Sequence, residues 1–553
     1  MDLLALGIVV FVLLTLLVSL GVVVLLDRPG GTWGQHLRSR LVMGVPWGTL
    51  VSVVFVVAIY LFVQDGWNHW HDPVTLPFRA WSYLYPTGML LAPFSHADAG
   101  HLTGNMIGTL VLAPIAEYAY GHFPQERGSH SFADWTSNPW VRALVIFPGV
   151  VLLVGLGTSL FALGPVIGFS GVVFAFAGFA LVRYPMTTVI AVLGGQRVLS
   201  LLYSSLQNPI VTTTAQASPP SPPWWAGIAI QGHALGLFFG IMLGVFVFFR
   251  RNERPSALRI WLAVLFFAVA KNLWAIYWFL GNERYRLFRG PGLAMVVVLA
   301  ILVATALHLR ERDFDAFTPR TGALVVLVVV TAVLVGSGVP VNLMTVDDTT
   351  APGDPIEVRG YEVVYAEDVQ NQMVSVIDVE AFGQSTNISS SGVIVVNEDR
   401  NIWYQAVSKG QLAFSGQRRV KIGGVGWRET VIASRDGWTA VGGGTSYRVF
   451  LKPPDGDWRV AYTSGNTTAE PRLDGKNVSI AATEDGYELF VWQNDSELGR
   501  AALPITNDSV QNASVTIAGI EFVREEQKNG PDRVYAVVGE TKVRVFVKET
   551  YRR

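Results

Sequence analysis

The sequence predicts a polytopic α-helical membrane protein of about ten spans, followed by an all-β C-terminal domain. Hydrophobic residues make up 51% of the 553 residues and charged residues only 15%, whereas a soluble globular protein carries roughly 25% charged residues. Apolar stretches of membrane-spanning length, about 17–25 residues, recur up to residue 339 and then stop. The charge also changes there, since residues 341–553 carry a net charge of about −7 and the remainder about +6. The two parts of the chain therefore face different solvents.

Ten apolar stretches are predicted to cross the membrane. In chain order they lie near 3–26, 43–63, 100–120, 141–163, 167–183, 186–206, 225–249, 258–280, 291–309 and 321–339. The first has no basic residues before an apolar core longer than the usual length of about 7–15 residues, so it is expected to be a retained helix rather than a signal peptide.

Arginines in the short loops predict the orientation of the spans. Arg28, Arg38 and Arg40 place the first loop inside the cell and the amino terminus outside. Counting spans from there places the following arginines inside as well: Arg183, Arg250, Arg251, Arg254, Arg259, Arg310, Arg312 and Arg320. One loop disagrees, because this order leaves three arginines outside, namely Arg284, Arg286 and Arg289.

After residue 340 the pattern becomes that of β-strands. Stretches such as IEVRGYEVVYA and RVYAVVGETKVRVFVKE are rich in β-branched residues and are separated by Gly, Asn and Asp turns. About 200 residues of this kind predict a sandwich or a small propeller-like fold. An even number of spans places this domain outside with the amino terminus. Six Asn-x-Ser/Thr triplets agree with that location, at Asn387, Asn466, Asn477, Asn494, Asn507 and Asn512.

Composition excludes several classes of function. The absence of cysteine removes thiol catalysis, disulfides and thiolate metal sites. Arginines are scattered through short loops, so no nucleic-acid-binding surface is expected, and no cofactor is implied. The lack of cysteine, the preference for Arg over Lys in the membrane part and the acidic C-terminal region suit a prokaryotic source, in particular a halophilic archaeon.

Polar side chains that a membrane disfavours gather on three of the spans. His96, His101 and Asn105 lie at the entrance of the span near 100–120, Ser170 opens the span at 167–183, and His233 lies in the span at 225–249. Ionisable groups inside spans are costly and indicate function by default. His101 and Asn105 are four residues apart and therefore share one face of a helix.

Stripes of small residues run beside the serine and beside the third histidine. They are Gly171, Ala175 and Gly178 next to Ser170, and Gly232, Gly236, Gly240 and Gly244 next to His233. Helices with such faces can bring their backbones unusually close. Packing of the two stripes would therefore make Ser170 and His233 neighbours.

Such a pair predicts nucleophilic catalysis. A serine hydroxyl is a weak nucleophile until a base takes its proton, and histidine can accept and return a proton near neutrality. His101, Asn105 and the backbone N–H of Ser170 could donate hydrogen bonds to an oxyanion.

Each of these signals also has a structural explanation. Glycine stripes in membrane helices mostly serve packing, and a serine there is usually a hydrogen-bonding packing residue. His96 and His101 could be solvated at the entrance of their span. Three histidines with Asp98 could instead hold a metal ion, although the chain has no His-Glu-x-x-His motif. The joint occurrence on three spans, in this order, favours the serine hypothesis.

At this point the sequence resembles the rhomboid intramembrane serine proteases, over about residues 43–250 and six spans. The matching motifs are His-x4-His-x3-Asn at His96, His101 and Asn105; Gly-x-Ser-Gly at Gly168–Gly171; a histidine followed by glycine at +3 and +7, at His233, Gly236 and Gly240; and a glutamate followed four residues later by glycine, at Glu117 and Gly121. One feature departs from the family, because the loop before the second core span carries Arg79 and Trp81 in the reverse of the usual Trp-Arg order.

The resemblance implies a six-helix core and a Ser170–His233 dyad without an acidic third member. It implies that His101 and Asn105 help to hold the oxyanion, with His96 and Gly168 lining the site, and that Gly171, Gly232, Gly236 and Gly240 serve helix packing. No metal is implied. The substrates implied are transmembrane proteins, cut within or beside their own membrane helix from a water-filled cavity that opens to the exterior.

The remaining parts of the chain lie outside that core. The expected division is an extra helix and cytoplasmic loop at 1–42, the core at 43–250, three further helices at 251–340, and the exterior β domain at 341–553. Membrane lipid surrounds the spans, and a protein partner for the β domain is expected. The alternative function is a non-proteolytic membrane binding or quality-control protein whose β domain recruits clients. A transporter would require paired carboxylates or inverted repeats at the membrane midplane, which the sequence does not clearly show.

Overall fold

A computed structural model of the chain describes residues 3–124, 127, 131–211, 218–248, 256–281, 283–308, 318–346, 354–372, 388–505, 512–527 and 530–552. The chain divides into two compact units. The first comprises Met1–Gln216, Pro222–Thr345 and a turn at Gly423–Trp427, and the second Ala217–Ser221, Val346–Ile422 and Arg428–Arg553.

The first unit is helical. Its helices are α1 Leu3–Asp27, α2 Thr32–Arg40, α3 Trp47–Val63, α4 Pro86–Leu91, α5 Ala99–Tyr120, α6 Pro139–Leu160, α7 Ser170–Arg183, α8 Pro185–Gln207, α9 Ile230–Phe248, α10 Ala257–Ala270, α11 Arg289–His308 and α12 Pro319–Asn342, with single 3₁₀ turns at Val42–Gly44 and Leu76–Phe78. Each of the ten predicted spans coincides with one of these helices. Helices α2 and α4 correspond to no predicted span.

Six helices of the described residues are long and apolar enough to cross a membrane, by length and composition: α1, α6, α8, α9, α11 and α12. The apolar helices α3, α7 and α10 are shorter. Helix α7 has 14 residues and is buried along almost its whole length, so it forms the centre of the unit. The main hydrophobic core of the unit is built around it. The predicted polytopic helical fold is confirmed.

One predicted span is shorter than expected. The apolar stretch at 258–280 is helical only to Ala270. Asn272 then adopts a positive φ of 59°, a conformation that commonly ends helices. The aromatic residues that follow favour strands and form an antiparallel pair, β1 Tyr277–Phe279 and β2 Tyr285–Leu287.

A buried carboxylate joins two helices at the end of α5. Glu117 is inaccessible to solvent and accepts hydrogen bonds from the backbone N–H groups of Gly48 and Thr49, both at 2.8 Å, and from the Thr49 hydroxyl at 2.7 Å. The His122 Nε2 lies 2.7 Å from the same carboxylate. A negative charge is stabilised at a helix N-terminus, where N–H groups lack helical partners. Glu117 therefore fixes the start of α3 against α5, and Gly121 ends α5 with a φ of 75°.

The second unit is antiparallel throughout its described sheets. Its strands are β3 Ile356–Val358, β4 Tyr361–Gln370, β5 Ser389–Asn397, β6 Ile402–Ser408, β7 Gln417–Gly424, β8 Trp427–Ala440, β9 Thr445–Lys452, β10 Arg459–Thr463, β11 Thr467–Thr468, β12 Asn477–Ala482, β13 Tyr487–Gln493, β14 Ser496–Ala502, β15 Asn512–Ile517, β16 Ile520–Glu525, β17 Arg533–Val538 and β18 Thr541–Lys548, with a short helix α13 at Lys409–Ser415.

These strands follow one another as four-stranded meanders. Two form separate sheets, β3 to β6 and β11 to β14. The other two share a sheet of order β10-β9-β8-β18-β17-β16-β15, in which the 14-residue strand β8 also pairs with β7. A four-stranded meander is the connectivity of a propeller blade, although here β8 and β18 join two of them. The predicted all-β domain is confirmed.

Several predicted features fall outside the described residues. They are the glycosylation triplets at Asn387 and Asn507 and the loop arginines Arg250, Arg251, Arg254, Arg310 and Arg312. Asn466, Asn494 and Asn512 are exposed, and Asn477 is half-buried. The orientation of the spans stays a prediction.

Candidate active site

Ser170 and His233 face each other between α7 and α9. Ser170 is the first residue of α7, and His233 lies in the first turn of α9. The His233 Nε2 is 2.9 Å from the Ser170 Oγ, a normal hydrogen-bond length. The imidazole also stacks on Phe174, with ring centroids 4.2 Å apart and planes inclined by 9°. Phe174 is one turn beyond Ser170, so α7 supplies both the hydroxyl and the surface on which the imidazole rests.

The close approach of α7 and α9 depends on small residues. A Cβ atom on Gly236 would lie 1.9 Å from the Gly171 carbonyl oxygen, and one on Gly240 would lie 2.0 Å from that of Ala175. No side chain fits at such distances, so the two predicted stripes pack directly against each other. This contact sets the spacing between Ser170 and the histidine on the opposite helix.

Gly232 is the exception in its stripe. A Cβ atom there would meet only the Cβ of Ala229, at 4.0 Å. No described atom of α7 lies within 4 Å of that Cβ, and the packing role expected of Gly232 stays a prediction. Gly236 lies against Gly171 and Gly240 against Ala175, so Gly232, one turn earlier, is level with residues that precede the start of α7 at Ser170.

His101, Asn105 and Gly168 meet beside the serine. Gly168 has a φ of 124°, which favours glycine. A Cβ atom on it would lie 2.7 Å from the His101 Nε2 and 3.5 Å from the Asn105 Nδ2. Within the described residues, the buried Asn105 Nδ2 has no hydrogen-bond partner. Two N–H-bearing side chains of α5 thus lie against the peptide just before the serine.

His96 lies behind this group and is fully buried. Its backbone is bonded to the amide of Gln64, whose Oε1 accepts from the His96 N–H at 2.7 Å and whose Nε2 donates to the His96 carbonyl at 2.8 Å. Burial lowers the pKa of His96 well below its ordinary value, and the neighbouring His101 lowers it further. The neutral ring accepts a long hydrogen bond, 3.5 Å, from the N–H of Phe169. Sequence reasoning did not identify Gln64 or Phe174, because neither belongs to a motif or a stripe.

The segment Leu160–Phe169, called here the pre-serine segment, connects α6 to α7. It is held by a backbone hydrogen bond from Ala80 to Val166 at 3.0 Å and by another from Gly168 to Ala92 at 2.9 Å. The loop before α5 therefore supports the segment that carries the serine.

Arg79 and Trp81, in their reversed order, both belong to this supporting loop. The Arg79 Nη1 donates to the Pro165 carbonyl at 3.4 Å. Trp81 is buried, and its indole N–H donates to the Leu76 carbonyl at 2.6 Å. Although the order of these two residues departs from the family pattern, both side chains donate hydrogen bonds to backbone carbonyls.

Asp98, the carboxylate of the metal alternative, has a structural role. Asp98 caps α5, because its Oδ1 accepts from the His101 backbone N–H at 2.8 Å. Among the residues that the structure describes, no group of three or more His, Cys, Asp or Glu side chains is arranged to hold a metal ion.

The arrangement provides the elements of acyl transfer. A base lies within hydrogen-bond reach of a hydroxyl, and the Asn105 Nδ2, which has no partner among the described residues, lies near Gly168, two residues before the serine. In the described part of the chain, the buried His233 Nδ1 has no hydrogen-bond partner, so the pair has no acidic third member there.

Comparison with protein families gives one match. Residues 83–251 match the family model of the Rhomboid domain, which is about three-tenths of the chain. The match runs from before α4 to just beyond α9, and over these residues it confirms the resemblance seen in the sequence. With its apolar helices, the chain is an integral membrane protein. Neither curated proteins nor solved structures gave a match.

Proposed function

We propose that this chain is an intramembrane serine endopeptidase that cleaves peptide bonds in or near the transmembrane segments of membrane proteins. The observation that carries the proposal is the 2.9 Å contact between the Ser170 Oγ and the His233 Nε2, inside a rhomboid domain. Rhomboid domains are generally those of intramembrane serine proteases acting on transmembrane substrates, which supports the substrate class.

In the first half of the reaction, Ser170 Oγ attacks the carbonyl carbon of the scissile peptide while His233 Nε2 takes the hydroxyl proton. The imidazolium then gives this proton to the leaving amine as the C–N bond breaks, and an ester on Ser170 remains. In the second half, His233 deprotonates a water molecule that attacks the ester, and the proton returns to the serine as the acid product leaves. The imidazole ends as it began.

The negative oxygen of each tetrahedral intermediate requires fixed donors. The Asn105 Nδ2 is buried without a partner within the described residues and can donate without breaking another hydrogen bond. The Nδ1 of His101 accepts from the Ala97 N–H at 3.5 Å, which places the proton of a neutral ring on Nε2, 2.7 Å from where a Cβ atom on Gly168 would lie. The Ser170 backbone N–H is a further donor.

A substrate helix must unwind locally before its peptide bond can reach the serine, because its backbone is otherwise hydrogen-bonded to itself. Helix-breaking Gly or Pro residues near the cleaved bond should therefore favour cleavage. The proposal includes the division of the chain at 1–42, 43–250, 251–340 and 341–553, the exterior location of the β domain as a recognition module, and a prokaryotic plasma membrane as the setting.

The test uses the purified full-length protein in liposomes, a tagged transmembrane substrate and a serine-reactive fluorophosphonate probe. Ser170→Ala and His233→Ala should each abolish labelling and cleavage, and a chelator should have no effect on the wild type. Ser205→Ala and His36→Ala are matched controls, because the Ser205 hydroxyl bonds only within α8 in the described contacts and His36 is exposed on α2.

Each outcome has a clear meaning. Loss in both site variants with normal controls supports the dyad. A folded wild type that neither labels nor cleaves would contradict the proposal and favour a binding protein. Chelator-sensitive cleavage that survives Ser170→Ala would replace the serine mechanism with a metal-dependent one.

A further inference from the structure

The pre-serine segment, Leu160–Phe169, is also held by α12, which lies outside the residues that match the Rhomboid domain. Asn342, the last residue of α12, is fully buried. Its Nδ2 donates to the carbonyl of Ala162 at 2.9 Å and to that of Leu160 at 3.3 Å. A side chain about 180 residues away in the sequence thus bonds the start of the pre-serine segment.

The backbone of α12 contacts the same segment. A Cβ atom on Gly338 would lie 2.3 Å from the Phe161 carbonyl oxygen and 3.0 Å from that of Ala162. Glycine is therefore required for α12 to approach the segment. Gly336, two residues earlier on the same helix, has no atom within 4 Å of an added Cβ, so the close approach is confined to one face.

Gln231 completes the connection. Its Nε2 donates to the Phe161 carbonyl at 2.6 Å and to the Leu334 carbonyl of α12 at 2.9 Å. Its Oε1 accepts from the N–H of Leu163 at 3.2 Å. Gln231 precedes His233 by two residues on α9. Its side-chain amide therefore links the helix that carries the histidine to both the pre-serine segment and α12.

We infer that Gln231, Gly338 and Asn342 are positioning residues through which α12 holds the nucleophile in register with its base. The inference rests on the proposed function, because it assumes that Ser170 and His233 react. Buried carbonyls that lose their donors are costly, so removing these contacts shifts the segment rather than leaving it in place. A displacement of about 1 Å in a catalytic group can cost about 10²-fold in rate.

The test compares glycine substitutions on one helix. Gly338→Ala should lower kcat for a transmembrane substrate by about tenfold or more, leave KM within about twofold, and slow fluorophosphonate labelling of Ser170 to a similar degree. Gly336→Ala is the matched control and should behave as wild type. Asn342→Ala should reproduce the effect of Gly338→Ala, and Thr331→Ala, which removes a hydroxyl bonded to Leu327 within α12, should not.

Rates are expressed per active site, titrated with the probe at saturation, and melting temperatures are measured in the same liposomes. Reduced turnover per titrated site supports the inference, since a merely unstable protein would lose sites and not turnover per site. Normal turnover per site in both Gly338→Ala and Asn342→Ala would overturn it while leaving the dyad intact. A wild type without labelling, or cleavage that persists in Ser170→Ala, would reject both the inference and the proposed function.

Discussion

At the scale of single residues, the position of the His233 ring follows from stacking and one hydrogen bond. Its Nε2 contacts the serine, and its face lies on Phe174 with centroids 4.2 Å apart. In serine proteases with a triad, a carboxylate bonded to Nδ1 orients the imidazole. Here Phe174 is the neighbour in a position to restrict the ring.

Phe174→Leu should therefore lower kcat while preserving the fold. An aromatic pair contributes about 0.5–1.5 kcal/mol beyond burial, which corresponds to a loss of about 2- to 13-fold in rate if it is expressed fully in the transition state. Steady-state cleavage measures the effect, and Phe174→Trp should retain most of the activity. Phe179→Leu is the control, because Phe179 contacts Phe248, with ring planes inclined by 52°, towards the other end of α7. Equal kcat for Phe174→Leu and wild type would show that the ring is oriented by other contacts.

Asn105→Ala should lower kcat more than Phe174→Leu does. One oxyanion donor is typically worth about 10²–10³ in kcat, and the Asn105 Nδ2 needs no rearrangement to donate. KM should change little, since the oxyanion forms only after binding. Thr103→Ala on the same helix removes a hydroxyl bonded to the Ala99 carbonyl and serves as the control. A reduction in affinity with unchanged kcat would assign Asn105 to substrate binding instead.

At the scale of elements, the site depends on two helices whose backbones nearly touch. The glycine stripes were visible in the sequence because small residues recur at helical spacing. The histidines were identified because ionisable side chains are costly inside membrane spans. The absence of α7 neighbours within 4 Å of a Cβ on Gly232 could not be predicted, since it depends on where α7 begins. The roles of Gln231 and Asn342 were also invisible, because they bond backbone carbonyls, whose positions no residue type encodes.

Comparing Gly236→Ala with Gly232→Ala tests whether the helix contact, rather than the mere presence of a glycine, determines activity and stability. The first places a methyl group 1.9 Å from the Gly171 carbonyl, whereas the second places it in open space. Backbone atoms lie on both sides of the first contact, so side-chain rotation cannot relieve the overlap and the helices must separate. Gly236→Ala should therefore abolish cleavage and lower the melting temperature by several degrees, and Gly232→Ala should leave both near wild type. Comparable melting temperatures for the two variants would contradict the observed helix contact.

At the scale of the whole molecule, two units follow different physical rules. In the helical unit, polar side chains mostly bond backbone groups, as the buried Glu117 does with the N–H groups of Gly48 and Thr49. In the β unit, charged side chains pair with each other, as the buried Arg435 and the partly exposed Glu549 show with two hydrogen bonds of 2.9 and 2.8 Å. The change in composition after residue 340 made this division predictable. The sharing of one sheet by two meanders was not, because it depends on the length of β8 and on its pairing with the distant strand β18.

Through Glu367, the stability of the β unit is expected to depend on pH. Burial alone would raise the pKa of this carboxyl, but hydrogen bonds from Lys409, Tyr447 and Tyr365 outweigh it and hold the pKa below its ordinary value. The Lys409 Nζ is 2.8 Å away and the Tyr365 hydroxyl 2.7 Å. The unfolded chain, with a carboxyl pKa of about 4.3, therefore binds the proton first as the pH falls. The stabilisation is complete above that value and is lost as the pH falls through the lower pKa of the folded state.

Glu367→Gln should consequently melt at a lower temperature than wild type at pH 7, and the difference should shrink as the pH approaches 3. Thermal unfolding of the full-length protein, followed by hydrogen exchange in strands β4 and β9, measures the β unit directly. Glu357→Gln changes an exposed carboxylate on the neighbouring strand β3 and should leave the melting temperature unchanged at both ends of the range. Parallel pH curves for wild type and Glu367→Gln would mean that the acid sensitivity of the unit arises at other carboxylates, because only a group with different proton affinities in the folded and unfolded states can change the slope.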